Sequence, residues 1–377
     1  MLIYAFFGKI LRKEQIVMKL IKRTAALLLA LLMVFSMAGC LHSKDEIAVT
    51  IGDVEFTSAQ YLYALIQADM AARQTVIDSL GEGITLDNAS EIDYYSQKIN
   101  KKDFVDYVED EALKTLEKYA AILTKCKENN IELTDEQKKE VETFVDYYWN
   151  SYGYSNMFEP NGVSKDTYTK CVSYDYLSNA YFESIYGKEG SSPVEEKTVN
   201  ETLLNNFALG NVLAVDLTDM TETEKSSETA KLTDYVARIN KGESFLTIYN
   251  EYYGSAVAEN TEIEKDENGI PTAPADTLAT VMGSEETDYA SDYYATVNAM
   301  KTGAAQLYTS EDGNTIAVLV KKDISADAYY MNTMYIPALY VIKGEEFEDE
   351  IDETKKSLET KTKKLVIKRL KVKNIKY

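Results

Sequence analysis

Histidine, the side chain best suited to moving protons near neutral pH, occurs once in the 377 residues, at His42. Any mechanism that needs two imidazoles in one site is thereby excluded. The cysteines are Cys40, Cys126 and Cys171. Cys126 and Cys171 lie in helical patterns, without the His and acid partners of a nucleophilic thiol and without the spacing of a four-ligand metal site. They could bond to each other if their Cα atoms come within about 7 Å; the alternative is two buried free thiols behaving as small hydrophobes. No metal, cofactor or cysteine-enzyme chemistry is indicated. The 62 Asp plus Glu against 40 Lys plus Arg give a net charge of −22. A surface that acidic repels polyphosphate, which excludes a general nucleic-acid binder. With 45% apolar residues the chain can build sizeable cores, and its length suits two to three domains.

The sharpest signal stands at the start of the chain. Lys19, Lys22 and Arg23 precede the continuous apolar run from Ala25 to Phe35, and the small pair Ala38–Gly39 leads into Cys40. Charge, apolar run and small residues in that order make a secretory signal. The pattern resembles the bacterial lipoprotein signal, in which a small residue precedes a cysteine that is lipidated before cleavage; Met37 stands where that signal usually has Leu. An apolar run of about 11 to 13 residues, at 1.5 Å each, is too short to cross ~30 Å of hydrocarbon. Residues 1–39 are therefore read as a signal peptide, with Met18 as an alternative start, and residues 40–46 as a tether that carries His42. Lipidation of Cys40 implies attachment to the cell membrane on its extracytoplasmic face. Without residues 1–39 the chain keeps 34 basic and 61 acidic residues, a net charge of −27.

The rest of the chain must position whatever the protein binds. Ile47 to Phe56 reads as a short strand pair around the Gly52–Asp53 turn. Thr57 with Gln60 predicts a capping box that opens a helix of roughly 20 residues, with Tyr61, Leu62, Leu65, Ile66 and Met70 at helical spacing. Helical periodicity returns from Asp103, from Thr134, and from Lys165 to Tyr186. Gly190 to Pro193 reads as an internal boundary. Beyond it the order is a helix (194–206), a strand (211–217), two helices, a long acidic loop (257–288), a helix (290–300) and two strands (306–309 and 315–321). That is a small α+β domain. From Ala328 the chain is helical again, interrupted or kinked at Pro337. The alternation of Leu365, Ile367, Leu370 and Val372 with basic residues predicts a final strand, its basic face suited to the acidic body of the protein or to anionic lipid.

This layout resembles the PrsA and SurA group of exported foldases. IAVTIGDVEFTSAQYLYAL resembles that group's opening strand, turn and helix, and NNIELTDEQKKEVE its second helical segment. INKGESF at 239–245 resembles the parvulin helix-turn-helix, and KGEEFEDEI with VIKRLKVKNI the closing helix and strand. The resemblance implies a mainly helical α+β fold: a SurA/PrsA-like helical chaperone domain formed by N- and C-terminal segments, with an inserted parvulin-like α+β domain. The implied bounds are 47–206 for the first part of the chaperone domain, 207–325 for the degenerate parvulin-like domain and 326–377 for the returning helix and strand.

Checked position by position, the isomerase signature fails. Where active parvulins carry histidines on their first and last strands, this chain has Asp216 and, after Gly313–Asn314, Thr315. The family's glycine-rich loop and short strand are not visible between Gly254 and Met282. Tyr293 stands for one pocket aromatic, and the second falls at the polar Asn298. The barrier to prolyl rotation is roughly 18–20 kcal/mol, and the implied histidine pair is missing. The resemblance thus implies a membrane-anchored extracytoplasmic chaperone that binds unfolded or secreted polypeptides. Two alternatives stand beside it: a weakly active peptidyl-prolyl cis-trans isomerase, and a surface lipoprotein with a dedicated protein partner. The 29 tyrosines suit polypeptide binding, since each offers flat area and a hydroxyl. Dense stretches are Tyr94–Tyr95, Tyr147–Tyr148–Trp149, Tyr152, Tyr154, Tyr252–Tyr253 and Tyr293–Tyr294, with at least half expected in the core. The negative charge favours basic clients.

Overall fold

The computed structural model describes residues 45–80, 92–259, 263–266 and 269–377. Among these the chain divides into two compact units, residues 45–191 with 345–377, and residues 192–344. The fold is α+β and mainly helical.

The first unit begins with β1 (Ile47–Ile51) and β2 (Val54–Thr57), joined by a two-residue turn. Gly52 takes φ +55° there, a value open to glycine at little cost. The reciprocal bonds of the expected capping box follow: Gln60 N to Thr57 Oγ1 at 3.3 Å, and Thr57 N to Gln60 Oε1 at 3.0 Å. They open α1 (Ser58–Leu80). The short hairpin β3 (Lys98–Ile99) and β4 (Lys102–Asp103) leads into α2 (Phe104–Asn129). Phe104, Val108, Ala112 and Leu116 lie four residues apart on α2 and are all fully buried, as one inward stripe requires. Thr134 and Gln137 form a second capping box at the head of α3 (Asp135–Ser151). The short α4 (Tyr154–Phe158) and the long α5 (Lys165–Tyr186) complete this part.

In the second unit come α6 (Glu196–Asn206), β5 (Phe207–Asp216), α7 (Glu222–Asn240), α8 (Phe245–Tyr253), β6 (Ala279–Gly283), α9 (Tyr294–Ala299), β7 (Ala305–Thr309), β8 (Thr315–Lys322) and α10 (Ala328–Thr333). The four strands form one antiparallel sheet in the order β6-β5-β8-β7. One face packs Leu213, Val215, Ile316 and Val318 against Leu232, Tyr235 and Ile239 of α7 and Phe245 and Ile248 of α8. The other face packs Ala208, Met282, Ala317 and Leu319 against Tyr293 and Val297.

The division between units falls within α11 (Tyr335–Ser357). After it, β9 (Thr360–Thr362) pairs antiparallel with β1, completing the sheet β2-β1-β9. No described helix is long and apolar enough to cross a membrane.

Three expectations change. Residues 365–372 are not a strand: α12 (Lys364–Ile367) is followed by a single 3₁₀ turn at Val372–Asn374. Val366 and Leu370, four residues apart, are buried, whereas Leu365 is 75% exposed, so the inward spacing is helical. The strand that returns to β1 lies just upstream, in the polar TKT. A strand is present between Gly254 and Met282 after all, since Ala279–Gly283 pairs with Phe207–Asn211. Pro337 breaks nothing; it sits in the first turn of α11, where a missing N–H leaves no helical bond unmade. The interruption falls before it, at Met334.

Candidate functional site

The site read from the sequence lies on the sheet of the second unit. Side chains alternate along a strand, so Ala208, Gly210, Val212, Ala214 and Asp216 of β5 share one face. Asp216 stands directly opposite Thr315 of β8, and Ala214 opposite Ala317. Tyr308 of β7 is paired with Ala317 and meets Tyr293 edge-on, ring centroids 4.9 Å apart at 84°. Val212 and Ala214 at the β5 edge of this patch are half-buried, as is Tyr308. The helix α9 approaches the other end. A Cβ on Gly210 would stand 3.4 Å from Val297 and 2.6 Å from the carbonyl oxygen of Val320, so the strand needs glycine there for close packing.

Asp216, Thr315 and Tyr293 are therefore brought to one face. Asn298 is not. It is exposed, donates to the Tyr294 hydroxyl at 3.3 Å, and its carbonyl accepts from Lys321 at 2.6 Å. Asp216 Oδ1 accepts from Thr218 N at 2.9 Å and from Thr218 Oγ1 at 2.6 Å, which closes the turn after β5. Tyr308 was not singled out in the sequence. Its partner Tyr293 is buried, which pushes the phenol up to about 12, so it is a neutral hydroxyl at physiological pH. The patch offers small apolar residues, two rings and phenol hydroxyls, and no imidazole. His42 and the lipidation candidate Cys40 lie outside the described residues.

A second candidate surface is aromatic and belongs to the helical unit. Tyr147 is 53% and Tyr152 37% exposed. Their centroids are 5.2 Å apart, with Tyr148 5.4 Å from Tyr147 and 5.0 Å from Tyr152. Phe144 lies 4.5 Å from Tyr148. The α3 helix explains the split: Val141, Val145, Tyr148 and Trp149 form its buried stripe, leaving Tyr147 off that stripe. Trp149 stacks parallel to Phe158 at 6.3 Å. Of the other tyrosine stretches, Tyr94 and Tyr293 are buried, while Tyr253 is 51% exposed beside Tyr249 and Tyr252.

Cys126 and Cys171 are both free and buried. The Cys126 thiol faces the Leu177 carbonyl oxygen at 3.6 Å, and burial pushes its pKa up to about 12. Burial, with the nearby Asp175 carboxylate, raises that of Cys171 further. Among the described residues no cluster of His, Cys, Asp and Glu could hold a metal ion.

No protein-family model and no curated protein matches the chain. Among solved structures, the chain is similar to the crystal structure of foldase protein PrsA from Streptococcus pneumoniae str. Canada MDR_19A. The identity is 11% and the TM-score 0.33, over 71% of this chain and 92% of that one. A likeness of that size assigns no family.

Proposed function

We propose that this chain is an extracytoplasmic chaperone of the foldase type, held at the membrane through lipidated Cys40, that binds unfolded secreted polypeptides without efficient isomerase chemistry. The observation that carries the reading is the ladder in which Val49, Thr50 and Ile51 face Thr362, Lys361 and Thr360. It joins the two ends of the described chain in one helical unit, with residues 192–344 inserted between them. A helical unit closed from both ends around an α+β insertion is the layout that the foldase resemblance implies. The antiparallel sheet β6-β5-β8-β7 supports reading the insertion as a divergent parvulin-type module.

The chemistry of the sheet face argues for binding over catalysis. Asp216 and Thr315 stand where the resemblance expects imidazoles, and the chain's one histidine is His42, in the tether. Apolar area with phenol hydroxyls, as at Tyr147 and Tyr152, suits non-native chains, whose exposed groups are mixed. The test uses the chain from residue 41. It should suppress aggregation of a reduced, unfolded secreted protein at near-stoichiometric ratio, and leave the cis-trans rate of a proline tetrapeptide at the buffer value. Fast proline turnover would overturn the inactive-module reading; no suppression, together with tight capture of one folded protein, would overturn the chaperone reading in favour of a dedicated binder.

A further inference from the structure

Asp69 on α1 is completely buried, yet only one of its carboxylate oxygens is used. Oδ2 accepts from Arg73 Nε at 2.6 Å and from the Tyr377 hydroxyl. Oδ1 has no hydrogen-bond partner among the described residues. The Arg73 guanidinium is enclosed by three rings, with its central carbon 4.5 Å from the Tyr94 centroid, 4.8 Å from Tyr377 and 5.8 Å from Tyr95. Its Nη2 also donates to the Tyr95 hydroxyl at 3.3 Å. Such stacking over a cation is favourable, and more so away from water.

The backbone beside Tyr377 is held separately. Asn161 Nδ2 donates to the Lys376 carbonyl at 2.7 Å, and Asn161 Oδ1 accepts from Lys376 N at 2.8 Å. One side-chain amide thus supplies both bonds that a neighbouring strand would give this residue. Residues 375–377 have no regular structure of their own, and the nearest fully buried anchor is Val372. The pocket recognises a phenol and the clamp recognises a peptide bond, so neither depends on this particular sequence.

We propose that Asp69, Arg73, Tyr94, Tyr95 and Asn161 form a binding site for a tyrosine in an extended polypeptide, occupied in this structure by the chain's own residues 375–377. Tyrosine is required, not merely an aromatic residue. A phenylalanine would remove a donor from a carboxylate that already has one unserved oxygen, and a buried polar group deprived of its partner discriminates strongly. The site is separate from the sheet face, and the inference does not rest on the chaperone reading.

The experiment takes the full chain carrying Tyr377→Ala and titrates it with N-acetyl-tyrosinamide or N-acetyl-phenylalaninamide, reading the thermal midpoint. The tyrosine probe should raise the midpoint saturably, the phenylalanine probe should need at least tenfold more, and the unaltered chain, its site filled, should respond to neither. A second variant ending at Val372 is titrated with the peptide Lys-Asn-Ile-Lys-Tyr and its phenylalanine counterpart; adding Asn161→Ala should weaken the tyrosine peptide at least fivefold. Equal responses to the two probes, or none in a variant with a cooperative melt, would overturn the site. A shift of the same size in the unaltered chain would place binding elsewhere and overturn it too.

Discussion

Asp175 on α5 buries its carboxyl group close to the Tyr119 side chain of α2. Its Oδ1 has no hydrogen-bond partner among the described residues. Burial is the leading influence and raises the Asp175 pKa from 3.8 to about 7. The folded state therefore prefers the neutral acid. Its contribution to stability is complete below the unfolded value of about 4 and is lost as pH rises through about 7. Asp175→Asn keeps the size and shape of the side chain and cannot ionise. Urea unfolding should find variant and parent alike near pH 4, and the variant more stable by on the order of 1 kcal/mol or more near pH 8. A difference that is flat with pH would contradict this.

The two thiols should behave as core. With Cys126 raised to about 12 by burial and Cys171 higher still, neither forms appreciable thiolate at pH 8. In the chain from residue 41, a thiol reagent should find no reactive cysteine in the folded state and two in denaturant. Rapid native labelling of either would show that the helices open around it.

Gly210→Ala should destabilise the sheet unit. The added methyl meets the Val320 carbonyl oxygen at 2.6 Å and the Met282 methyl at 3.1 Å; the backbone oxygen cannot move without disturbing the β5–β8 ladder. Overpacking of this kind costs about 1–3 kcal/mol, visible as a lower urea midpoint.

Tyr147→Ser with Tyr152→Ser removes the exposed rings and, with them, two ring contacts to the buried Tyr148. Ring pairs of this kind are worth about 0.5–1.5 kcal/mol each, so the melting midpoint should fall modestly with the melt still cooperative, while suppression of client aggregation at a temperature well below it falls at least twofold. Unchanged suppression would move client binding to another surface.

Much of the helical framework was legible because its signals are local. Thr57 and Gln60, and Thr134 and Gln137, announce helix starts through bonds made within four residues. Strand β8 carries a continuous apolar run, and its partner β5 has a strand pattern in the sequence only from Asn211 onward. What escaped were elements defined by their partners. Thr360–Thr362 contains no apolar residue and is a strand only because β1 offers it a ladder. Ala279–Gly283 follows a loop rich in acid and proline, and has only Met282 and Gly283 buried. In the final segment the pairs Leu365/Ile367 and Leu370/Val372 suggest a period of two, while burial of Val366 and Leu370 follows a period of four. At the candidate site, Asp216 and Thr315 came to one face through register, whereas Asn298 left it because α9 turns that residue outward.

The central position of β1 between β2 and β9 bears on how the molecule is made. Residues 192–344 contain every strand of their own sheet, so that unit can close as soon as its last strand, β8, has been synthesised. The helical unit cannot finish its sheet until Thr360–Thr362 arrive, more than 300 residues after β1, and so long a loop closes slowly. Until then β1 keeps an open edge facing the surroundings for almost the whole of translation, which makes the newborn chain itself, for a time, a candidate for the kind of protection it is proposed to give.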